Sequence, residues 1–356
     1  MSNNRIKLGI VGLGRAGNGM HVKALLENKS ELYEIVAVCD PIAERCEKVK
    51  EKTGCRTYGT IEELLRDDEV ELVDIATRSN DHYRHAVLAL EAGKHVFCEK
   101  PITLNADEVK DLFARAEKPG SGRFFPQQNR RYEGVFQNLA AVIASGKLGN
   151  VFEISLSQRS YQRRDDWQTI SEFGGGQLFN WGPHIVDHAL RLLGAPVAQQ
   201  YSHCVQAAAG GDCEDHFTAH LIGENGRKVN VCISGASALY DGRRYMAFGS
   251  RGAFESCGMK IKLKYIDPEQ VLPPVIANPG TPGDSFGASG TFGAAVDVKW
   301  VTEEYEVKDD ILCFWDAMYA SLREGKEYPI KRDEVVSLIE TLCRIKNETP
   351  ICRFNG

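Results

Sequence analysis

Long uninterrupted apolar runs are missing from this sequence. No stretch of its 356 residues approaches the roughly 18 consecutive apolar side chains that a membrane-spanning helix needs. The first residues, MSNNRIKLGIVGLG, pass straight into a glycine-punctuated strand, without the apolar run and small-residue cleavage site of a signal peptide. We therefore expect a cytoplasmic protein that is neither exported nor bound to a membrane.

A surplus of positive charge is also missing. The formal net charge is −6, so the chain offers no basic surface for nucleic acid or anionic lipid. Its 11 cysteines are scattered singly, without a C-x-x-C pair or the spacing of a zinc site. They are typical of reduced cytosolic thiols, and we expect no metal.

The length of the chain and a change in its pattern indicate two domains, because single cores stop growing at roughly 250 to 300 residues. Over residues 1–128, compact apolar runs alternate with helical patterns, including a helix over 105–117 capped by Asn105. This alternation predicts a doubly wound parallel sheet. Over residues 129–356 the segments alternate apolar and polar residues, which predicts a mostly antiparallel sheet with one covered face. The predicted fold class is therefore α/β, with an α+β C-terminal domain.

The end of the chain contains one irregular stretch and two helical patterns. Residues 267–294 are rich in Gly, Pro and Ser, which predicts a long surface loop. Helices are predicted near 308–323 and 332–347, and we expect both to pack back onto the body of the protein.

A glycine-rich turn follows the first predicted strand and opens a helix. Its residues are Gly12, Leu13, Gly14, Arg15, Ala16 and Gly17, with G-x-G-x-x-G spacing. Gly12 permits the tight turn, Gly14 lets the backbone approach a pyrophosphate, and Gly17 allows the helix to pack closely on the strand. Unpaired N–H groups at the helix N-terminus would bind the phosphates. The alternative is a glycine turn that only connects two elements.

An acidic side chain ends the second predicted strand. Asp40 follows the glycine turn by about 20 residues, where a carboxylate can accept hydrogen bonds from the adenosine ribose hydroxyls. It would repel a 2′-phosphate, and no arginine follows it immediately. We therefore expect the cofactor to be NAD rather than NADP, with Arg45 near the adenine.

A lysine stands at the end of the fifth predicted strand. The segment HVFCEKP finishes with Glu99, Lys100 and Pro101. Ligands of open α/β sheets bind outside the carboxyl ends of the strands, which places Lys100 on the binding edge. A lysine near the positive nicotinamide ring would lose preference for its charged form, which lowers its pKa toward the range useful in proton transfer. The alternative is a solvated lysine at a strand end.

The segment GGGQLFNWGPHIVDHALRLLG, residues 174–194, predicts a glycine turn followed by a helix. Pro183 suits the first helical position and Gly194 the residue just past the end. The polar face of this helix carries His184, Asp187, His188 and Arg191. The simplest interpretation is an amphipathic helix with a solvated polar face. Two histidines four residues apart can bind zinc, but no third ligand is evident.

In their order and spacing these motifs resemble the Gfo/Idh/MocA oxidoreductases, a family that includes glucose–fructose oxidoreductase and inositol dehydrogenase. The shared segments are GLGRAG, Asp40, ATRSNDH at 76–82, AGKHVFCEKP at 92–101 and GGG followed by His184 and Asp187. The resemblance covers nearly the whole chain. It implies a Rossmann domain, then an α/β domain with a large open sheet used for oligomer contacts. It also implies hydride transfer between a nicotinamide and a sugar, sugar derivative or polyol.

Carried over residue by residue, the resemblance assigns site roles. Lys100 and His184 would be catalytic and would exchange the hydroxyl proton. Besides the glycine turn, the cofactor would be contacted by Asp40, Arg45, Thr77, His82, Glu99, Lys100 and Asn129. The substrate would be contacted by Lys100, Arg130, Tyr161, Arg163, Trp167, Asn180 and His184.

Two positions depart from the family pattern. Members often read Thr-Pro-Asn where this chain has Thr77, Arg78 and Ser79, and the usual aspartate four residues before the histidine is Asn180 here. An amide can hold a hydroxyl or an imidazole, but it has no charge to stabilise an imidazolium. We therefore expect His184 to be less readily protonated and Lys100 to carry more of the proton transfer. Asp187, on the same helix face, is a candidate partner for the imidazole.

Three functions stay open at this point. The resemblance favours an NAD-dependent dehydrogenase of a small carbohydrate or polyol, assembled as a homo-oligomer, dimer or tetramer. Some family members instead use transient oxidation at a sugar carbon to cleave a glycoside, which makes them NAD-dependent glycosidases or lyases without net NADH. The third class is a non-catalytic NAD-binding regulator, of which Asn180 is the sequence hint.

Overall fold

The N-terminal part of the chain forms a parallel six-stranded sheet. The fold is known from a computed structural model that describes residues 4–239, 242–277, 279 and 297–354. The strands are β1 (Ile6–Val11), β2 (Tyr33–Cys39), β3 (Arg56–Tyr58), β4 (Leu72–Ile75), β5 (His95–Cys98) and β6 (Phe124–Pro126). They run in the order β3-β2-β1-β4-β5-β6, and every pair is parallel. The predicted doubly wound sheet is confirmed, and its order reverses between β1 and β4, where such folds bind ligands.

Helices connect these strands. They are α1 (Lys23–Asn28), α2 (Ala43–Thr53), α3 (Ile61–Leu64), α4 (His82–Glu91) and α5 (Ala106–Ala116). The side chain of Asn105 accepts a hydrogen bond from the backbone N–H of Asp107 at 2.7 Å, which is the predicted cap of α5. The four residues of β4, Leu-Val-Asp-Ile, are all buried, as expected of a strand covered on both faces.

The C-terminal part forms a nine-stranded sheet. Its strands are β7 (Val151–Arg159), β8 (Val197–Gln206), β9 (His216–Gly223), β10 (Lys228–Ser234), β11 (Gly242–Gly249), β12 (Gly252–Cys257), β13 (Lys260–Ile266), β14 (Trp300–Glu306) and β15 (Ile351–Arg353). Their order is β14-β13-β12-β11-β7-β10-β9-β8-β15. Only the β7–β10 and β8–β15 pairs are parallel among the described strands, so the predicted mostly antiparallel sheet is confirmed.

Five helices accompany this sheet within the described residues. They are α6 (Gly134–Ala144), α7 (Gln177–Asn180), α8 (Gly182–Leu193), α9 (Cys313–Arg323) and α10 (Arg332–Glu348). One sheet face is covered and the other is exposed. On β13, for example, Ile261 and Leu263 are buried while Lys262 is exposed and pairs with Glu304 on β14 at 2.9 Å.

The closing helices return to the N-terminal domain, as expected from the sequence. The Trp315 indole of α9 lies edge-on to Tyr33 of β2, and the Tyr33 hydroxyl donates to the Trp315 carbonyl at 2.6 Å. Helix α9 begins at Cys313, later than predicted, because the residues before it bond the linker, the segment that joins β6 to α6. The Asp309 carboxylate accepts from the N–H of Gly134, and the Asp310 N–H donates to the Tyr132 carbonyl.

Of the predicted loop over 267–294, residues 267–277 and 279 are described, and they lie outside helices and strands. The rest of that prediction lies outside the described residues. No described helix has the length and apolar character needed to cross a membrane.

Candidate active site

The glycine turn follows β1 at the switch point of the N-terminal sheet. Gly12 has φ +92°, and a Cβ there would lie 2.6 Å from the carbonyl oxygen of Ala76. A Cβ on Gly17 would overlap the carbonyl oxygen of Gly12. These two glycines are therefore required by the fold itself. At Gly14, in contrast, a Cβ would have no described atom within 4 Å. Its lack of a side chain leaves open space, which fits the approach of a dinucleotide pyrophosphate.

Asp40 lies directly beside this turn. Its side chain is 4% exposed, and it accepts hydrogen bonds from the backbone N–H groups of Leu13 at 2.8 Å and Ile42 at 2.9 Å. The Arg45 guanidinium is 3.4 Å from the same carboxylate. The structure thus brings together Asp40, Arg45 and the glycine turn, and the carboxylate locks the turn to the end of β2.

Lys100 follows β5 on the same sheet edge. Burial lowers its pKa to about 8. The negative charge of Glu99 opposes this shift, whereas the positive charges of Arg130, Arg15 and Arg164 add to it. A lysine with such a pKa holds both the amine and the ammonium form near neutral pH, which suits it to exchange protons.

Asn180, at the end of α7, contacts this lysine. The Nζ atom of Lys100 donates to the backbone carbonyl of Asn180 at 2.9 Å and approaches its Oδ1 at 3.3 Å. The amide thus orients the ammonium without adding a negative charge. A carboxylate in its place would stabilise the ammonium and raise the pKa of Lys100. The residue that departs from the family pattern is therefore directed at the lysine.

His184 lies in the first turn of α8 and is 5% exposed. Burial, followed by the positive charges of Lys100 and Arg130, holds its pKa well below the usual value. The imidazole is therefore neutral, as expected from the sequence. Its Nδ1 atom is buried and has no hydrogen-bond partner among the described residues. Such an atom is available to contact a bound ligand, because buried polar groups are otherwise satisfied.

Two expectations about α8 are wrong. Its polar face is not solvated, because Asp187 is 1% and His188 0% exposed. Asp187 is not the partner of His184, since Arg131 occupies both of its carboxylate oxygens at 2.7 and 2.5 Å. His188 instead bonds the Tyr245 hydroxyl and the Arg130 carbonyl, both at 2.9 Å. The linker that leads out of β6 covers this face, and helix periodicity alone could not show it.

The predicted cofactor contacts on the neighbouring loops have different surroundings. His82 is 1% exposed, with Nδ1 2.7 Å from the Pro101 carbonyl and Nε2 3.2 Å from the Thr77 carbonyl. It therefore ties the segment after Lys100 to the end of β4. The Thr77 hydroxyl lies 3.2 Å from Nδ1 of His85. Asn129 is buried, and its Oδ1 has no partner among the described residues, so it can accept from a ligand.

The predicted substrate residues are distributed unevenly. The Arg130 guanidinium lies 4.3 Å from the Trp181 ring centroid, next to Asn180. Tyr161 is 58% exposed and Arg163 is exposed, while Trp167 is half-buried. None of the last three lines the cavity next to Asn180. Their contacts with the substrate stay predictions.

That cavity is partly open to solvent, and its volume of about 310 Å³ includes the open part. Its polar lining includes Gln162, Arg164, Gln168, Gln177, Asn180 and Glu214. Sequence reasoning missed Glu214, whose pKa burial raises to about 7. The sequence signal for a close neighbour at this position was the glycine run, because a Cβ on Gly176 would overlap the Glu214 carboxylate. Polar side chains that converge in a cavity are typical of a site for a hydroxyl-rich ligand.

Among the described residues, no group of three or more His, Cys, Asp or Glu side chains is arranged to hold a metal ion.

The fold and the site define a class of protein. A doubly wound sheet with a glycine turn at its switch point is typical of dinucleotide-binding domains, and residues 6–124 match a family model described as the oxidoreductase family with an NAD-binding Rossmann fold. Residues 136–255 match the GFO/IDH/MocA C-terminal domain. The chain belongs to the Gfo/Idh/MocA family of oxidoreductases, and the resemblance seen in the sequence is confirmed.

Three relatives illustrate the similarity. An uncharacterised oxidoreductase of Schizosaccharomyces pombe is 32% identical over 74% of this chain and 72% of its own length. The scyllo-inositol 2-dehydrogenase (NADP⁺) of Bacillus subtilis is 27% identical over 95% of this chain and 92% of its own. A crystal structure of an NAD-binding protein from Listeria innocua has a TM-score of 0.81, with 23% identity and 97% of both chains covered.

Proposed function

We propose that this protein is an NAD-dependent dehydrogenase that transfers a hydride between nicotinamide and the carbinol carbon of a sugar, sugar derivative or polyol. The proposal is carried by the position and pKa of Lys100. This lysine lies on the same sheet edge as the glycine turn and has a pKa of about 8. Its partner Asn180 lines the polar cavity. The Bacillus relative, named as an inositol dehydrogenase, supports the substrate class.

The proposed chemistry needs one proton-exchanging group beside the reacting carbon. In the proposed oxidation, the neutral amine of Lys100 would take the proton of the substrate hydroxyl and become an ammonium, while the substrate carbon would give up its C–H hydride and become a carbonyl. Nicotinamide, when bound, supplies the hydride acceptor. Asn180 then accepts hydrogen bonds from the new ammonium. The reverse reaction returns the same proton from Lys100.

His184 is proposed as a second contact to the substrate hydroxyl. As a neutral imidazole it offers one donor and one acceptor nitrogen, and its low pKa makes it a poor proton acceptor. It orients the hydroxyl, while Lys100 takes the proton. This division matches the absence of a carboxylate partner for His184 among the described residues.

The proposed cofactor is NAD, held by the glycine turn and Asp40, with Arg45, Thr77, Glu99 and Asn129 nearby. The Asp40 carboxylate would repel a 2′-phosphate. Because the Bacillus relative is named for NADP⁺, the preference needs measurement. We expect wild-type protein to bind NAD more tightly than NADP in a direct titration. Tighter binding of NADP would contradict this role of Asp40.

We also propose a division of labour between the domains. Residues 1–128 would bind the cofactor, and residues 129–356 would bind the substrate and form a homo-oligomer through the uncovered face of the C-terminal sheet. That face exposes Tyr201, Phe248 and Trp300, at 68%, 38% and 50%. Light scattering of the purified protein tests this, since a monomer at micromolar concentration would contradict it.

The central experiment combines a substrate screen with one variant. Purified protein is incubated with NAD and a panel of inositols, free sugars and glycosides, and both NADH formation and leaving-group release are recorded. We expect net NADH. Release of a leaving group without NADH would instead favour redox-assisted glycoside cleavage. Lys100→Ala should lower kcat by about 10²- to 10⁴-fold with little change in the Kd for NAD. Normal turnover of that variant would refute the assignment.

A further inference from the structure

Three charged side chains form a buried cluster beneath the edge that carries the candidate site. His21 lies in the helical turn Gly17–Val22 after the glycine motif, Asp74 on β4, and Glu99 directly after β5. The Nδ1 atom of His21 is 2.7 Å from Oδ2 of Asp74, and its Nε2 atom is 3.0 Å from Oε1 of Glu99. The side chains of His21, Asp74 and Glu99 are 3%, 0% and 6% exposed. We call them the Asp74–His21–Glu99 cluster.

The geometry of the cluster favours a positively charged histidine. Each ring nitrogen of His21 faces a carboxylate oxygen, and only an imidazolium can donate at both. Burial by itself would lower the pKa of His21, but Asp74 and Glu99 together raise it to about 10. Burial raises the pKa of Asp74, whereas the charge and hydrogen bond of His21 oppose that shift and lower the pKa of Glu99.

The cluster is closed to water on its other sides. The His21 ring packs edge-on against Trp315 of α9 and at a tilt against Phe97 of β5. The remaining titratable groups that face it are His82, which is near Asp74, Lys100, which is near Glu99, and the buried thiol of Cys98, which is near both carboxylates. Burial lowers the pKa of His82, and its hydrogen bonds to the Pro101 and Thr77 carbonyls oppose this shift.

Glu99 connects the cluster to the lysine. Its Oε1 atom accepts from His21 and from Nε2 of Gln127 at 2.8 Å, and its Oε2 atom accepts from the backbone N–H of Lys100 at 2.9 Å. Although burial would raise the pKa of Glu99, the hydrogen bond and charge of His21 hold it below the usual value. A carboxylate with a lowered pKa is thereby kept next to Lys100 in a buried place.

We propose that His21 is a positioning residue for Lys100: clamped between Asp74 and Glu99, it holds the Glu99 carboxylate against the backbone N–H of the lysine and couples the lysine to the glycine turn. The proposal rests on the proposed function only in taking Lys100 as the group that exchanges the substrate proton. His21 acts through Glu99 and does not itself touch the cavity. Its effect is on the charge of the lysine amine.

The test measures the pKa of Lys100 in cofactor-free protein. The rate at which acetic anhydride acetylates Lys100 is followed against pH by peptide mass spectrometry, in the wild type, His21→Gln, Glu99→Gln and the double variant. Glu99→Gln should lower the pKa of Lys100, because it removes the neighbouring negative charge. His21→Gln should lower it as well, because two buried carboxylates without a cation between them take up a proton.

The expected size of the effect follows from the charge that is lost. A decrease of about one in the pKa of Lys100, from about 8, would make acetylation at pH 7 roughly fivefold faster. The double variant should match Glu99→Gln alone, because His21 acts through that carboxylate. Tyr33→Phe is the matched control. It removes a bond to Trp315, which packs on His21, and should leave the pKa of Lys100 unchanged.

Two outcomes would overturn the proposal. One is a His21→Gln protein whose Lys100 titrates as in the wild type, and the other is an effect of His21→Gln that persists in the Glu99→Gln background. If His21→Gln does not fold, ¹⁵N NMR of the wild-type imidazole decides. The imidazolium should persist to a pH of about 10, and its loss below pH 8 would refute the clamp. None of these measurements depends on turnover, so their outcome can be distinguished from a failure of the dehydrogenase proposal.

Discussion

Replacing Asn180 by aspartate places a carboxylate against the ammonium of Lys100. The Oδ1 atom of Asn180 is 3.3 Å from Nζ of Lys100. Coulomb's law gives about 5 kcal/mol for unit charges at that separation with an effective dielectric constant of about 20, which is an upper bound. Measured shifts beside one opposite charge are about 1 to 3. We therefore expect the pKa of Lys100 to rise from about 8 to between about 9 and 11.

The consequence is a slower oxidation near neutral pH. With a pKa of about 8, roughly a tenth of Lys100 is neutral at pH 7, and each increase of one in the pKa lowers that fraction about tenfold. The assay is kcat for substrate oxidation against pH, with saturating NAD. In Asn180→Asp, the rising limb of the profile should move to higher pH by the same amount as the pKa.

The matched control is Asn180→Leu, which removes the Oδ1 acceptor without adding charge. Its rising limb should not move to higher pH, although kcat itself can fall because the ammonium loses a hydrogen bond. If the profile of Asn180→Asp coincides with that of the wild type, the amide does not set the charge of Lys100, and our account of this position is wrong.

Three further predictions concern binding and stability. Gly14→Ala should weaken NAD binding without changing stability, because a Cβ there meets no described atom within 4 Å. Gly17→Ala should lower the melting temperature, because its Cβ would overlap the backbone. Equal melting temperatures of the two variants would contradict this contrast. Glu214→Gln should become more stable than the wild type as pH rises from about 4.5 to about 7, by up to roughly 3 kcal/mol. The reason is that the raised pKa of Glu214 in the folded state makes its ionisation oppose folding. A stability difference that does not depend on pH in denaturant titrations would refute this prediction. Asp187→Asn should cost roughly 3 kcal/mol of unfolding free energy, since it leaves the Arg131 guanidinium with one carboxylate partner fewer; a cost below about 1 kcal/mol would show that Glu334 suffices.

Much of the fold could be predicted from local sequence, because hydrophobic periodicity and punctuation by glycine depend on near neighbours in the chain. The Asn105 cap, the parallel sheet and the place of Lys100 at a strand end follow in this way. The start of α9 at Cys313 could not, since the residues before it bond to a linker far away in sequence.

The sequence by itself determined where the candidate site lies: a glycine turn after β1, an aspartate after β2 and a lysine after β5 must meet at one edge of a parallel sheet. Only the tertiary structure decided which side chains pair there. Asn180 meets Lys100 across 80 residues, and His21 meets Glu99 across 78. Periodicity shows which face a side chain occupies, but it does not show what covers that face. The charge of a buried group depends on that covering, because its pKa is set by the dielectric and the partners around it.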